Sequence, residues 1–310
     1  METLGYELAK GRPSRETYLS IGVFDGVHLG HLHLIDVLVR EAAKADCIPG
    51  VVTFRNHPRE VLNGGLHVSW LTTEEERERL LRQAGIEVVA PVTFTREVSL
   101  ITASEFTTSL QRELGMRGLV VGSDFALGHN REGTPDFLKD LGEEQGFVVK
   151  VADDRTVDGE RVSSTVIRDA LAQGNVGGAT RLLGHNYTLA GDVVHGEGRG
   201  SSLLGYPTAN IAVDGRFVIP MDGIYATWVY VGQKRYQAAT SIGVRPTFGR
   251  GERTIEAFLL DFNEDLYGKK LRLEFVERLR DEESFDSTEA LQAQIKLDVE
   301  KTRQILSLSE

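Results

Sequence analysis

The chain contains a single cysteine, Cys47, among its 310 residues. One thiol cannot form an intrachain disulfide, so covalent cross-links are excluded as a source of stability. Since Cys47 lies between a helical pattern and the pair Ile48–Pro49, we expect a buried, unreactive thiol rather than a nucleophile. The chain is 41% hydrophobic and 26% charged, which is typical of globular proteins.

The sequence also lacks an apolar run long enough to span a bilayer, and no N-terminal segment resembles a signal peptide. We therefore expect a cytoplasmic protein. Basic residues are outnumbered, since 35 Lys and Arg stand against 46 Asp and Glu and leave a net charge of −11. This charge argues against general binding to nucleic acid or to an anionic membrane. The oligomeric state is left open.

Two regions of different hydrophobic periodicity divide the chain. We place the boundary so that the domains are 1–184 and 185–310, with a linker near 174–185. In the first region short apolar runs alternate with helical patterns, which predicts an α/β domain with a doubly wound parallel sheet. Such sheets bind ligands at the carboxyl ends of their strands. Predicted strands are 19–24, 50–54, 88–92, 118–122 and 147–151, and predicted helices are 28–45, 73–83, 103–114, 135–142 and 164–173.

The second region has closely spaced strand patterns separated by glycine-containing turns, which predicts a small antiparallel β-barrel. A terminal helix is expected after Ser287, which can cap it, and Leu291, Ile295 and Val299 recur at helical spacing. Predicted strands are 208–213, 223–231, 237–242, 254–261 and 270–277.

The stretch 22–31, GVFDGVHLGH, is the most informative in the chain. A strand pattern turns at glycines and enters a helix whose first turn carries His28 and His31. A helix N-terminus offers unpaired N–H groups and partial positive charge, which suit phosphate. Residues three apart lie on one helical face, so both imidazoles can reach the same anion. The alternative is a glycine-rich turn with two incidental histidines.

Three further segments of the first region carry candidate chemistry. Residues 53–58, TFRNHP, follow the second strand and form either a ligand loop or an ordinary turn. Residues 122–133 form a glycine-rich loop long enough to be a flap over a site, or else a surface loop. Residues 161–168, RVSSTVIR, begin a helix at which hydroxyls, N–H groups and arginines could bind phosphate, although ordinary capping explains the serines equally.

The second region carries a glycine-rich stretch of its own at 196–210, GEGRGSSLLGYPTAN. It is not a Walker loop, because no Gly-Lys-Ser/Thr ends it and it leads into a strand. Thr208 and Asn210 alternate on one strand face, so a hydroxyl and an amide oxygen point the same way, and oxygen ligands suit Mg²⁺. By pattern alone, Glu256 is a strand residue that points away from its neighbours Ile255 and Ala257.

Over nearly the whole chain these motifs resemble those of the bacterial bifunctional riboflavin kinase/FAD synthetase family. The resemblance implies an N-terminal nucleotidyltransferase domain that joins ATP to FMN and a C-terminal riboflavin kinase barrel. It also implies Mg²⁺ as the metal, ATP as co-substrate, and riboflavin, FMN and FAD as substrates and products. The partners would then be small molecules.

Carried over by position, the resemblance implies roles for individual residues. His28 and His31 would hold ATP phosphates in catalysis, and Glu256 would be the base of the kinase reaction. The implied ATP-binding residues are Gly22, Phe24, Asp25, Gly30, Arg161, Ser163, Ser164, Thr165, Arg168, Gly198, Arg199, Gly200, Thr208 and Asn210, the last two also binding the metal. The implied flavin-binding residues are Phe54, Asn56, His57, Pro58, Asp124, Phe125, Leu127, Arg245, Arg280 and Phe285.

Two residues depart from the family pattern. Asn56 stands where the family has proline, and Leu127 stands where an aromatic residue is usual. A missing aromatic ring removes about 0.5–1.5 kcal/mol of stacking. The departures leave two alternatives open, a riboflavin kinase with a weakened adenylyltransferase domain and a non-catalytic flavin-binding regulator. The presence of His28, Thr208 and Glu256 argues against the regulator.

Overall fold

A computed structural model describes residues 2–65, 67–195, 207–244 and 253–308. The chain forms two compact units, Met1–Ser163 and Ser164–Glu310. Among the described residues, no helix is both long and apolar enough to cross a membrane.

The first unit contains the predicted parallel sheet, with strand order β3-β2-β1-β4-β5. The chain moves outward from β1 to β3 and then resumes at β4 on the other side of β1. The direction therefore reverses between β1 and β4, and the crevice at their carboxyl ends is where sheets of this kind bind ligands. The strands are β1 (Thr17–Ile21), β2 (Ile48–Phe54), β3 (Val88–Val92), β4 (Met116–Gly122) and β5 (Val148–Ala152).

Hydrophobic cores cover both faces of this sheet. Leu19 packs into one core and the adjacent Tyr18 into the other, as alternation along a strand requires. The first core includes Leu4 and Leu8 of an N-terminal helix that the sequence pattern did not predict. The helices are α1 (Glu2–Ala9), α2 (Leu29–Lys44), α3 (Pro58–Leu62), α4 (Glu74–Gln83), α5 (Ala103–Leu114) and α6 (Pro135–Gln145), and a short hairpin consists of β6 (Thr156–Val157) and β7 (Glu160–Arg161).

The second unit contains the predicted barrel, which is closed and antiparallel with strand order β10-β11-β12-β9-β8-β13. Its first strand, β8, was not predicted. Along β12 the buried residues are Ile255, Ala257 and Leu259, so every second side chain lies in the core. The elements are α7 (Ser164–Ala172), α8 (Val176–Leu183), β8 (Tyr187–Val194), β9 (Ala209–Ala212), β10 (Gly223–Val231), β11 (Lys234–Val244), β12 (Arg253–Leu259), β13 (Lys270–Arg280) and α9 (Thr288–Ser307).

The prediction of a linker near 174–185 was wrong, because this stretch contains α8. The Asn175 side chain caps the helix by accepting from the Gly178 N–H at 2.8 Å, and Gly184 ends it with a φ of 81°. α8 packs against β8 and β13 and buries Leu183. The glycines in its first turn gave the pattern of a linker. Gly178 is needed there, since a Cβ would lie 2.4 Å from the Asn175 Nδ2.

The prediction that the single thiol is buried is confirmed. Cys47 is free and buried. Burial raises the pKa of its thiol, and the carboxylate of Glu16 raises it further. The group therefore stays protonated, which makes it a poor nucleophile.

Two ion pairs connect α9 to the rest of the second unit. The Arg280 Nε and Nη2 donate to both carboxylate oxygens of Asp298, with the Nη2–Oδ2 distance at 2.8 Å. Only 14% of the Arg280 side chain and 5% of the Asp298 side chain are exposed. Arg303 makes the same two-pronged contact with Asp261, but there 48% and 74% remain exposed. The buried stripe of the helix therefore includes a carboxylate, one residue away from the predicted apolar positions.

We expect these two pairs to differ strongly in energy. Breaking a buried pair leaves an uncompensated charge, so Asp298→Asn should destabilise the barrel by about 3 kcal/mol. Asp261→Asn, its matched control, should have little effect, because exposed ion pairs are weak. Urea unfolding in a Trp70→Phe background would measure this, since Trp228 of β10 then reports the barrel alone. Equal losses for both variants would contradict the assignment.

Candidate functional site

The connection from β1 to α2 has a backbone conformation that most residues avoid. Phe24 and Val27 have φ values of 53° and 40°, and Gly26 has 83°. Left-handed conformations cost non-glycine residues about 1–3 kcal/mol each and persist only where the surroundings enforce them. Here Phe24 and Val27 are fully buried in the core, which holds the strained turn in place.

His28 is the N-cap of α2. Its Nδ1 accepts a hydrogen bond from the His31 backbone N–H at 3.3 Å, and the two imidazole rings stack with centroids 3.6 Å apart. A ring nitrogen that accepts carries no proton, so neutral His28 has its proton on Nε2 and can donate from there. Gly30 leaves room for the ring, because a Cβ would lie 3.1 Å from the His28 Cε1. The predicted pair of histidines therefore lies together at a helix N-terminus.

His31 is held in its neutral form. Burial lowers the pKa of its imidazole well below the ordinary 6.5, and the nearby His28 and Arg77 lower it further. The ring also packs against Phe24, with centroids 5.0 Å apart. Its Nδ1 is buried and has no hydrogen-bond partner among the described residues. Any positive potential at this position therefore comes from the helix N-terminus and neighbouring cations rather than from the His31 ring.

Asp25, predicted to bind ATP, is buried beneath the turn. Its Oδ1 accepts from the backbone N–H groups of Leu71 and Thr72 at 2.9 and 3.1 Å, and from the Thr72 hydroxyl at 3.2 Å. The Gly26 N–H in turn donates to the Thr72 hydroxyl at 3.1 Å. This network connects the strained turn to the segment that precedes α4.

Asn56, one of the two departures from the family pattern, joins the ends of β2 and β3. Its Nδ2 donates to the Phe94 carbonyl and its Oδ1 accepts from the Phe94 N–H, both at 2.8 Å. A proline could make neither bond. Phe54 packs edge-on against Phe94, and His57 caps α3 ahead of Pro58. The loop after β2 is therefore fixed at both ends by its own side chains.

The loop after β4 brings together two residues predicted for different ligands. Arg161 donates to the Asp124 carboxylate at 2.7 Å and lies 3.4 Å from that of Asp154. Phe125 is half-buried against the first core. Leu127, the second departure from the family pattern, is a buried member of that core, and its backbone pairs with Gly133. Ser163 ends the first unit, whereas Ser164, Thr165 and Arg168 lie on α7 of the second unit.

A second cluster lies on the outer side of the barrel wall. Asn210 and Ser241 are the direct cross-strand neighbours of Glu256 on either side. The Thr208 hydroxyl donates to Glu256 Oε2 at 3.1 Å. Glu256 points away from the buried Ile255, as the strand pattern predicted. Hydroxyl, amide and carboxylate oxygens thus converge, which is a donor set that fits Mg²⁺. Among the described residues no three His, Cys, Asp or Glu side chains form a metal-binding group.

Some of the remaining predicted residues of the second region lie in the described part of the chain, and others lie outside it. Arg280 is bound to Asp298, and its guanidinium carbon lies 5.8 Å from the Phe285 ring centroid. Gly198, Arg199, Gly200 and Arg245 lie outside the described residues.

Sequence reasoning missed Glu282, which accepts hydrogen bonds from Ser241 and the Val244 backbone. Its carboxylate occupies the space that a side chain at Gly243 would need. Burial raises the pKa of Glu282, and Asp222 raises it further. Only the glycine hinted at this contact, and a glycine does not reveal which side chain approaches it.

Two family models match the chain, FAD synthetase over residues 11–166 and riboflavin kinase over residues 183–306. The bifunctional riboflavin kinase/FMN adenylyltransferase of Escherichia coli strain K12 is 36% identical over 300 residues, covering 96% of this chain and 95% of that one. The protein of the same name from Pseudomonas fluorescens is 38% identical over 298 residues, with 94% and 93% covered. A crystal structure described as a macrolide-efflux protein from Streptococcus pneumoniae has a TM-score of 0.87 and 31% identity, and 96% of both chains is covered.

Because His31 is neutral in the folded protein, we can predict how its protonation and the stability of the fold depend on pH. At pH 6.5, where an ordinary histidine is half protonated, we expect the folded protein to keep His31 almost entirely neutral. As the pH falls through 6.5, the unfolded chain takes up a proton that the folded state excludes, so His31 lowers the stability. A nitrogen-labelled histidine NMR titration measures this, with His31→Asn identifying the resonance. Half-protonation at pH 6.5 or above would contradict it.

Proposed function

This chain belongs to the bifunctional riboflavin kinase/FMN adenylyltransferase family, and we propose that it carries out the two reactions at separate sites. It phosphorylates riboflavin to FMN with ATP, and it then transfers the adenylyl group of a second ATP to FMN, giving FAD and pyrophosphate. The observation that carries the two-site proposal is that the histidine pair and the Thr208–Glu256 contact lie within different family models. We assign adenylyl transfer to 1–184 and the kinase to 185–310.

The adenylyl transfer needs no covalent enzyme intermediate. An FMN phosphate oxygen attacks the α-phosphorus of ATP, and pyrophosphate leaves. Catalysis is then a matter of positioning the two substrates and stabilising the developing charge. We assign the phosphate contacts to the N-terminus of α2, with His28 donating from Nε2 and His31 beside it. Because His31 is neutral, its ring hydrogen-bonds a phosphate oxygen without forming an ion pair.

We assign flavin binding in this reaction to the loops after β2 and β4. Neither departure from the family pattern lies in the turn before α2. Asn56 connects the ends of β2 and β3 through its hydrogen bond to Phe94, and Leu127 lies in the hydrophobic core. Asp124 is held by Arg161, and this pair supports a polar contact to the ligand at the end of β4. The roles of Ser163, Ser164, Thr165 and Arg168 in ATP binding stay predictions.

In the kinase reaction Glu256 is the proposed base. It takes the proton from the riboflavin 5′-hydroxyl as that oxygen attacks the γ-phosphorus of ATP, and ADP leaves. The hydrogen bond from Thr208 orients the carboxylate, and Asn210 lies beside it on the neighbouring strand. Thr208 and Asn210 would hold Mg²⁺, which supplies charge neutralisation for the phosphates.

The chemistry of the substrates indicates the binding partners of the chain and its compartment. All of them are small molecules, and a net charge of −11 gives nucleic acid no electrostatic attraction to the chain. Both reactions consume ATP, which supports the cytoplasm as the compartment.

Substitution of the proposed base tests whether the two reactions use separate sites. Purified wild-type protein with riboflavin, ATP and Mg²⁺ should form FMN and then FAD. Glu256→Gln should lower FMN formation by at least about 100-fold, which is the usual effect of losing a general base. It should leave FAD formation from supplied FMN unchanged.

Glu277→Gln provides the matched control, because Glu277 is an exposed carboxylate on another strand of the same barrel. This variant should keep both activities. A parallel loss of both activities in Glu256→Gln would contradict the separation of the sites, and absence of both products in the wild type would refute the proposed function.

A further inference from the structure

Arg77 is a buried cation in the first unit, and sequence reasoning did not single it out. It lies on α4 and is only 2% exposed. Its Nη2 donates to the Phe54 carbonyl at 2.8 Å, and its guanidinium carbon lies 4.9 Å from the Trp70 ring centroid. Its Nε and Nη1 are buried and have no hydrogen-bond partner among the described residues.

The position of Arg77 on α4 is one that an apolar side chain would ordinarily fill. The other buried residues of the helix are Leu80 and Leu81, three and four positions further on. Burying a charge is costly unless it is paired, and a well-packed apolar residue would avoid this cost. By contrast, Arg79 and Arg82 of the same helix are exposed and pair with Glu76 and Glu78. Packing alone therefore does not account for an arginine at this position.

Arg77 contacts the start of one segment of the proposed adenylyl-transfer site, and it contacts Trp70, which precedes the residues that hold the other segment. Phe54 is the last residue of β2, so the carbonyl that Arg77 binds is the start of the flavin-side loop. The Trp70 ring that stacks on Arg77 meets His57 of that loop edge-on, with centroids 5.8 Å apart. On the other side, Trp70 is followed by Leu71 and Thr72, whose backbone N–H groups donate to the Asp25 carboxylate of the turn before α2 at 2.9 and 3.1 Å. Burial lowers the pKa of Arg77 while the nearby Asp25 raises it, and the charge of Arg77 helps to lower the pKa of His31.

We propose that Arg77 is a positioning residue for adenylyl transfer, which holds the flavin-side loop 55–58 in register with the turn between β1 and α2. This inference rests on the proposed function. Because Arg77 is only 2% exposed, we assign it no direct contact with substrate. Its hydrogen bond holds the carbonyl of Phe54, at which the loop begins. Its contact with Trp70 holds the ring against which His57 of the loop packs. Its charge also adds to the positive potential around a site that receives two phosphorylated substrates.

The substitutions Arg77→Met and Arg77→Lys separate this role from a general structural one. Methionine keeps most of the volume but loses the charge and the hydrogen bond, and lysine keeps the charge but loses the planar fork. We expect the KM for FMN to rise about tenfold in Arg77→Met, as for a lost hydrogen bond to a charged group, with a smaller change in kcat. Arg77→Lys should give an intermediate KM. Arg79→Met, two residues along the same helix, is the control and should change neither constant.

The riboflavin kinase activity of the same molecules reports whether each variant is intact, and it should be unchanged throughout. A KM for FMN equal to the wild-type value in Arg77→Met would overturn the proposal. If that variant does not fold, Arg77→Lys decides, and a wild-type KM there would overturn it. A wild-type protein that makes no FAD from FMN would instead refute the proposed function, so the two failures are distinguishable.

Discussion

The proposed adenylyl-transfer site depends on one backbone feature, the left-handed turn between β1 and α2. Within seven residues the chain leaves a central strand, passes through positive φ at Phe24, Gly26 and Val27, and enters a helix whose first turn carries both histidines. The strain is held from two sides. Phe24 and Val27 are anchored in the core, and the carboxylate of Asp25 accepts from the backbone that precedes α4. The stacking of the histidine rings is a consequence of this turn.

In the barrel, strand register positions the side chains of the proposed kinase site. Glu256 meets Asn210 on one side and Ser241 on the other because β12 pairs with β9 and β11 at those positions. A slip of one residue would turn Glu256 into the core and bring Ile255 to the site. The two proposed sites therefore differ in construction, with a helix N-terminus in the first unit and a row of oxygen-bearing side chains across strands in the second.

The sequence predicted most of this fold because alternating periodicities are dominated by burial. It also located the histidine pair, since a strand, two glycines and a helix leave few alternatives. It missed α8, because glycines in a first turn look like a linker when the capping contact of Asn175 is unknown. It also missed the partnership of Arg280 with Asp298 and the burial of Arg77. Charged residues in helical patterns are ordinarily solvated, and only tertiary contacts distinguish the buried ones.

We infer that two different phosphorus atoms of ATP are attacked at two sites of one chain. Supplying riboflavin together with ATP radiolabelled at either the γ- or the α-phosphorus tests it directly. The γ-label should appear in FMN, and the α-label should appear in FAD but neither in FMN nor in the released pyrophosphate. An α-label that is absent from FAD, or that leaves in pyrophosphate, would contradict the account.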